Sequence, residues 1–231
     1  MRFLKRMTGV AAGALLLFSA AAKAQTLDTS VGLGTSNDLN WTATAGRTVG
    51  SGNGVLQAEA GWPGIGLTYL HGYNDLTDIG FHVGLNYGFE GTTNSATGLN
   101  LAVPIRRNIL PGEQFNLGLH VDPGLTIYSN NGSALVGVGG PIGVVAGYRI
   151  DPRLTIDAGV DVPILVSFTN PTGILFGPLF GGGAEYLVDK NLAVTGRVRV
   201  GPEFALTTGR EGGSGSQAAF QTLLGVAYNL R

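Results

Sequence analysis

The stretch Leu154-Thr-Ile-Asp-Ala-Gly-Val-Asp-Val-Pro-Ile-Leu-Val-Ser-Phe168 decides the fold. Its even positions read Leu154, Ile156, Ala158, Val160, Val162, Ile164, Val166 and Phe168, against Thr155, Asp157, Gly159, Asp161 and Ser167 on the odd ones. Successive side chains of an extended strand point to opposite faces, so the segment carries one greasy face and one polar, glycine-bearing face. It is also long. A bilayer is crossed by roughly 9–11 tilted residues, whereas the usual strand has about 5–6.

The same period of two holds for Phe81–Phe89, Leu99–Ile105, Phe115–Tyr128, Leu192–Leu206 and Phe220–Leu230. A soluble sandwich alternates too. Two features favour a membrane: strand length, and a polar face rich in Gly, Ser, Thr and Asn instead of the Lys and Glu of a solvated sheet. Only 13% of the 231 residues are charged and 39 are Gly, yet mean hydropathy is positive. Beyond the N-terminus no run reaches ~18 apolar residues, so apolarity is dispensed every second residue and membrane helices are excluded. The reading is an all-β, antiparallel up-and-down transmembrane β-barrel.

Tight links at Tyr73–Asp78, Ile150–Leu154 and Val188–Leu192 alternate with looser, Gly/Ser/Thr/Asn-rich ones at Gly91–Thr97, Ser129–Ser133, Thr169–Gly173 and Thr207–Gln217. Short periplasmic turns and longer outer loops follow that pattern; the link Asn108–Gln114 is longer than it predicts. Eight strands are expected near 78–90, 97–107, 115–128, 135–150, 154–168, 173–188, 192–206 and 218–230, with a ninth near 55–72. An even total asks for one more in 27–47, where Trp41-Thr-Ala-Thr-Ala45 alternates. Ten is the expectation and eight the alternative. Pro63, Pro104, Pro123, Pro141, Pro163, Pro178 and Pro202 fall inside these segments. Proline removes a ladder donor, and because alternation keeps phase across Pro123 and Pro163, bulges or kinks are expected there.

The N-terminus gives a compartment. Arg2, Lys5 and Arg6 precede an apolar run from Val10 to Ala22, and Ala22-Lys23-Ala24 before Gln25 is a small-x-small site. That is the pattern of a secretory signal over 1–24, cut after Ala24, leaving 25–231 as the barrel. Its loss leaves ten basic against fifteen acidic residues, a net charge near −5. Nothing basic is concentrated to neutralise phosphates, which argues against nucleic acid as a partner. With no cysteine, no disulfide staples the exported chain.

Gly225-Val-Ala-Tyr228-Asn-Leu230 resembles the C-terminal signature of bacterial outer-membrane β-barrel proteins, a Gly followed by apolar or aromatic residues spaced by two. The match departs in ending on Arg231 and in carrying Leu223 where a polar residue is usual. The resemblance implies recognition by the barrel assembly machinery through Gly225, Tyr228 and Leu230, and insertion among outer-membrane lipids. It implies no functional residue. Aromatics on the outward phase are expected to form two girdles: Phe81, Phe115, Tyr148, Tyr186 and Tyr228 at the periplasmic ends, and Phe89, Phe168, Phe176 and Phe220 toward the outer ends.

The inward phase holds Arg106, His120, Asp122, Asp157, Asp161, Glu185, Arg197, Arg199 and Glu203. Buried charges are costly unless paired. Counting from strand ends puts Asp157, Glu185 and Arg197 near one depth and Asp161 and Arg199 near another, which predicts salt bridges plugging the lumen. The three histidines, His71, His82 and His120, come with no matching nucleophile and acid at the outer rim, and no metal spacing or phosphate loop is present. His120 and Asp122 read as a lumen pair. No catalytic, cofactor or metal residue is expected. The expected role is structural or narrow-passage, with a small-solute or ion channel as the alternative and a membrane enzyme or adhesin after it. Eight to ten strands leave an interior filled by side chains, and short outer loops count against adhesion.

Overall fold

The computed structural model describes residues 40–88, 97–130, 133–169, 172–208 and 213–231. The signal segment 1–24, most of the 27–47 region and Phe89 lie outside these residues. The described chain forms thirteen strand segments: β1 (Gly54–Trp62), β2 (Gly64–Asn74), β3 (Thr77–Asn86), β4 (Thr97–Ala102), β5 (Ile105–Leu110), β6 (Phe115–Val121), β7 (Gly124–Asn130), β8 (Ser133–Arg149), β9 (Leu154–Ser167), β10 (Gly173–Phe176), β11 (Leu179–Leu187), β12 (Leu192–Thr207) and β13 (Gly213–Asn229). β4 with β5, β6 with β7, and β10 with β11 run end to end, each couple sharing the same neighbours. Every pairing is antiparallel, and β1 closes the sheet on β13 from Val55↔Asn229 to Trp62↔Thr222. The result is a closed ten-strand barrel.

Ten is the expected number, but two of the strands are not the expected ones. The region 55–72 is two strands, folded back at Pro63 and paired from Ala60↔Ile65 to Gly54↔His71. Residues 40–53 form no strand. Alternation there misled because Trp41, Thr42, Ala43, Ala45, Arg47, Thr48 and Val49 are all buried, on both phases. Turning at Pro63 also flips the phase: Gln57 and Glu59 face inward on β1, whereas Thr68 and Leu70 do so on β2.

The other prolines line up. Pro104, Pro123 and Pro178 stand at the three breaks between end-to-end segments, Pro141 faces Pro163 across β8 and β9, and Pro202 lies within β12. Six adjacent strands thus each lose a donor at a similar level. Bonds beside the gaps carry the sheet across: Gly80 N donates to Pro104 O at 2.8 Å, Val103 N to Pro123 O at 2.9 Å and Asp122 N to Pro141 O at 3.0 Å. Three of them interrupt a strand and three lie within an unbroken ladder, with Pro63 the exception that makes a turn.

Polarity is sorted by phase. Leu56, Leu67, Tyr69, Leu119, Val144, Ile156, Val198 and Val226 are exposed on the outside. Among the described residues, Arg107 is the one charged side chain on the outward phase of a strand, and it sits opposite Thr77 at the tight-turn end. Val160, outward and level with Val144 and Phe180, therefore offers a test. If the apolar outside is embedded in a bilayer, Val160→Arg should block assembly there or cost about 2–4 kcal/mol in a folding titration. Gly159→Arg, pointing inward against the backbone of Val144 and Val145, should fail by crowding instead. A neutral Val160→Arg would count against a bilayer around this face.

Candidate functional site

The tight-turn end of the barrel contains a length of its own chain. Residues 40–49 enter the interior as an arm bent over 43–47, where Thr42 Oγ1 donates to Arg47 O at 2.8 Å, and a turn at 50–53 leads into β1. A backbone without strand neighbours must satisfy its N–H and C=O groups some other way, and here charged side chains do it. Glu185 accepts from Ala43 N at 2.9 Å, from Thr44 N at 3.1 Å and from Thr44 Oγ1 at 3.1 Å. Arg106 donates to the carbonyls of Thr42 and Ala43 and forms an ion pair with Asp78. Asp78 accepts from Val49 N at 3.1 Å. Charge-assisted bonds of this kind are about twice as strong as neutral ones.

The arm is also fastened to the turns. Trp41 Nε1 donates to Lys190 O at 3.0 Å, Thr48 Oγ1 to Asp75 O at 2.7 Å, and Arg47 to Gly112 O and Glu113 O. Burial and nearby Arg149 lower the Arg47 guanidinium to about 10, with Glu113 pulling the other way, so it stays charged at neutral pH. Trp41, Ala43 and Val49 join Val55, Leu70, Leu187, Ala193 and Ala227 in an apolar cluster. Gly46 meets the wall so closely that a Cβ there would come within 2.6 Å of Gly118 N.

Farther in, Arg199 and Asp161, placed at one depth by the sequence, do meet, while other charges find partners that differ from the expected ones. Arg199 pairs with Asp161, and His120 Nε2 lies 3.1 Å from Asp161 Oδ1. Arg197 pairs with Glu59 at 3.1 Å, across the seam where β13 separates β12 from β1. Glu203 accepts from Gln217 at 2.9 Å. The carboxylate in contact with His120 is Asp161, with Asp122 close enough to act on it electrostatically, and Glu185 grips the arm where arginine pairing was expected. Asp122 Oδ1 and Asp157 Oδ2 are buried without a hydrogen-bond partner. His82 contacts Thr68 at 2.7 Å, while His71 faces outward. Glu59 and Asp78 escaped the sequence reading. Asp78 began an expected strand and shares the inward phase of His82; Glu59 was hidden by the phase flip at Pro63.

The outward aromatics fall into two groups. Near the turns, Phe115 faces Tyr148, Tyr228 faces Leu56 and Leu192, Tyr186 faces Leu154 and Val194, and Phe81 faces Tyr69. Toward the other end, Phe168 is 60% exposed and Phe220 stacks on Trp62 with centroids 5.8 Å apart. At the C-terminus, Gly225 lies between Thr195 and Glu59, Tyr228 points out, and Leu230 N donates to Gly54 O at 2.7 Å. Leu223 faces inward.

Above the arm lies a cavity of about 190 Å³, floored by Ala43–Gly46 and walled by residues including Gln57, His82, Asn100, Arg197 and Leu223. No helix of the described residues is long and apolar enough to cross a membrane. No group of three or more metal-binding side chains occurs among them. Neither a protein-family model nor a curated protein matches this chain.

Glu185→Ala removes the acceptor for two arm N–H groups, and each hydrogen bond to a charged group contributes about 1.5–3 kcal/mol. In a Trp62→Phe background, where Trp41 is the remaining indole, the arm should loosen, with red-shifted emission and protease cleavage within 40–53. Glu185→Gln, which keeps one acceptor, should shift less. Unchanged emission in both variants would show that the carboxylate does not hold the arm.

Proposed function

We propose that this chain is an exported barrel of the bacterial outer membrane with a structural or narrow-passage role, its lumen plugged by the arm and by paired charges. The observation that carries this is the inversion of polarity. Apolar side chains cover the outside, Arg107 is the lone charge on the outward strand phase of the described residues, and the acids and arginines of the strands turn inward. A water-soluble barrel is built the other way round, because its outside must be solvated. The basic and apolar N-terminus to Ala24 supports export, and Gly225, Tyr228 and Leu230 support assembly by the barrel machinery, with the outer-membrane lipids as the surrounding partner. The aromatics near the turns and at the far end would be the interfacial girdles. No cofactor and no catalysis are part of this reading.

A small-solute or ion passage is the second reading, favoured by the cavity above the arm. The two are separated by current. The refolded chain should be heat-modifiable on gels, need detergent or lipid, and stay silent in planar bilayers. Arg197→Ala with Arg199→Ala strips Glu59 and Asp161 of their counter-charges, at about 3–5 kcal/mol in the buried limit. Thermal stability should fall and cation conductance rise. A chain that is soluble and monomeric without detergent would end the membrane reading. Large steady currents from the unaltered protein would promote the passage.

A further inference from the structure

The arm is attached to the barrel in a way the strands are not. Among the described residues no backbone–backbone hydrogen bond joins 40–49 to the wall, and the seam that closes the sheet begins beyond it, at Val55↔Asn229. Its fastenings run through side chains: Glu185, Asp78 and Arg106 grip its backbone, and Trp41 and Thr48 reach out to the turns. Withdrawing the arm therefore breaks no rung of the ladder. Elements held in this way open at a lower free energy than the sheet around them.

Its path also lets it leave. Trp41 is fastened at the β11–β12 turn, Arg47 at the β5–β6 link and Thr48 at the β2–β3 turn, all at the tight-turn end. Between these points the bend makes Ala43–Gly46 the tip, which floors the cavity. Both limbs thus exit the same way, and drawing the loop out threads nothing through the barrel. The links ringing that end, at 50–53, 75–76, 111–114, 150–153 and 188–191, are all described and none exceeds four residues. Gly50 and Gly52, with φ of +88° and +75°, stand between the arm and β1 in a conformation that glycine adopts at little cost. They are the swivel.

What the arm covers is negative. Among the described residues every hydrogen bond of Glu185 goes to the arm, to Ala43 N, Thr44 N and Thr44 Oγ1, so its carboxylate is bare once the arm has gone. Arg106 loses two carbonyls but keeps Asp78. Arg47 departs with the arm, and at the rim Arg149 and Glu113 offset each other. Deeper in, Arg197 and Arg199 hold Glu59 and Asp161, while Asp122 Oδ1 and Asp157 Oδ2 have no hydrogen-bond partner. The unpartnered Nε atoms of Arg197 and Arg199 belong to guanidinium groups already paired, so they add no uncompensated charge. Carboxylates are left over, and the emptied space favours cations.

We propose that the arm is a gate, which swings out of the closed barrel at the tight-turn end and uncovers a vestibule that takes up small cations. A gate of this kind presupposes the membrane passage described above, whose own failure would show separately, as a chain soluble without detergent. The chain has no cysteine, so one can be placed under the tip, at Asn116, which is 1% exposed and lies against Gly46. In detergent micelles the refolded Asn116→Cys chain should react slowly with trimethylammonioethyl methanethiosulfonate. A Cβ on Gly46 would lie 2.6 Å from Gly118 N and 2.7 Å from Val145 O, so adding Gly46→Val expels the tip and leaves the strands alone. Labelling should then rise about a hundredfold with heat-modifiability kept. The ammonium reagent should outpace the sulfonatoethyl one about tenfold, relative to their rates on a free thiol. A thiol that reacts no faster in a folded Gly46→Val chain, or as fast without that substitution, overturns the gate. Equal relative rates for the two reagents overturn the preference for cations. If Gly46→Val does not fold, amide exchange of the unaltered chain decides. The amides of 43, 44 and 49 should exchange at least about tenfold faster than the ladder of β1, and equal protection overturns the gate.

Discussion

Charge turned inward must find a partner inside. That constraint organises this barrel. With the outside given over to aliphatic and aromatic side chains, the acids and arginines of the strands project into a ten-strand interior, where an unpaired ion costs several kcal/mol. Pairing among themselves meets part of the need: Arg197 with Glu59, Arg199 with Asp161. For Glu185, and for the Arg106–Asp78 pair, backbone supplies further partners. The arm brings N–H groups at 43, 44 and 49 to the carboxylates and carbonyls at 42 and 43 to the guanidinium. Each side solves the other's problem, because a buried chain segment without a sheet neighbour is as needy as a buried ion.

How much of this could be read in the residues follows from what repeats. Alternation over Leu154–Phe168 and its counterparts is a local property, so strand type, phase and the antiparallel barrel were accessible without neighbours. The number ten was accessible too, through the demand for an even count, but that demand was met by the wrong segment. Trp41-Thr-Ala-Thr-Ala45 has the composition of a strand and lies buried on every side. Pro63 looked like the other mid-strand prolines yet turns the chain, and the missed turn concealed Glu59 by reversing the phase of everything before it. Ion pairs were the least legible. Depth along a strand can be counted, but which side chain reaches across a closed interior depends on circumference, and Arg197 passes over β13 to meet Glu59 on β1.

The prolines show why a rule about edges can be broken in a closed sheet. One missing N–H in a central strand leaves one carbonyl hungry. Six at a similar level, on six adjacent strands, place the missing donors side by side, so that the gaps of neighbouring strands coincide and the residues beside them make the crossing bonds. The ladder is interrupted once, as a belt, and not at six scattered heights. Alternation survives through the belt because kinking a strand does not rotate its side chains to the other face.

Closure adds a last consequence. The strands of a barrel are tilted, so their hydrogen-bond register must climb on going once around. Turns at the tight end share that climb, since successive strands overhang one another there by a few residues: β2 continues past His71 to Asn74, and β5 past Arg107 to Leu110. At the other end most of the climb is taken in a single place, between Trp62 of β1 and Gly213 of β13. Residues 40–53 fill the interior, β1 and β2 then make the shortest hairpin of the wall among the described residues, and β13 runs beyond it over Gly213–Gln221, paired among the described residues with β12. Sealing one end with the arm and lowering the rim at the other are thus two results of the same allocation of chain.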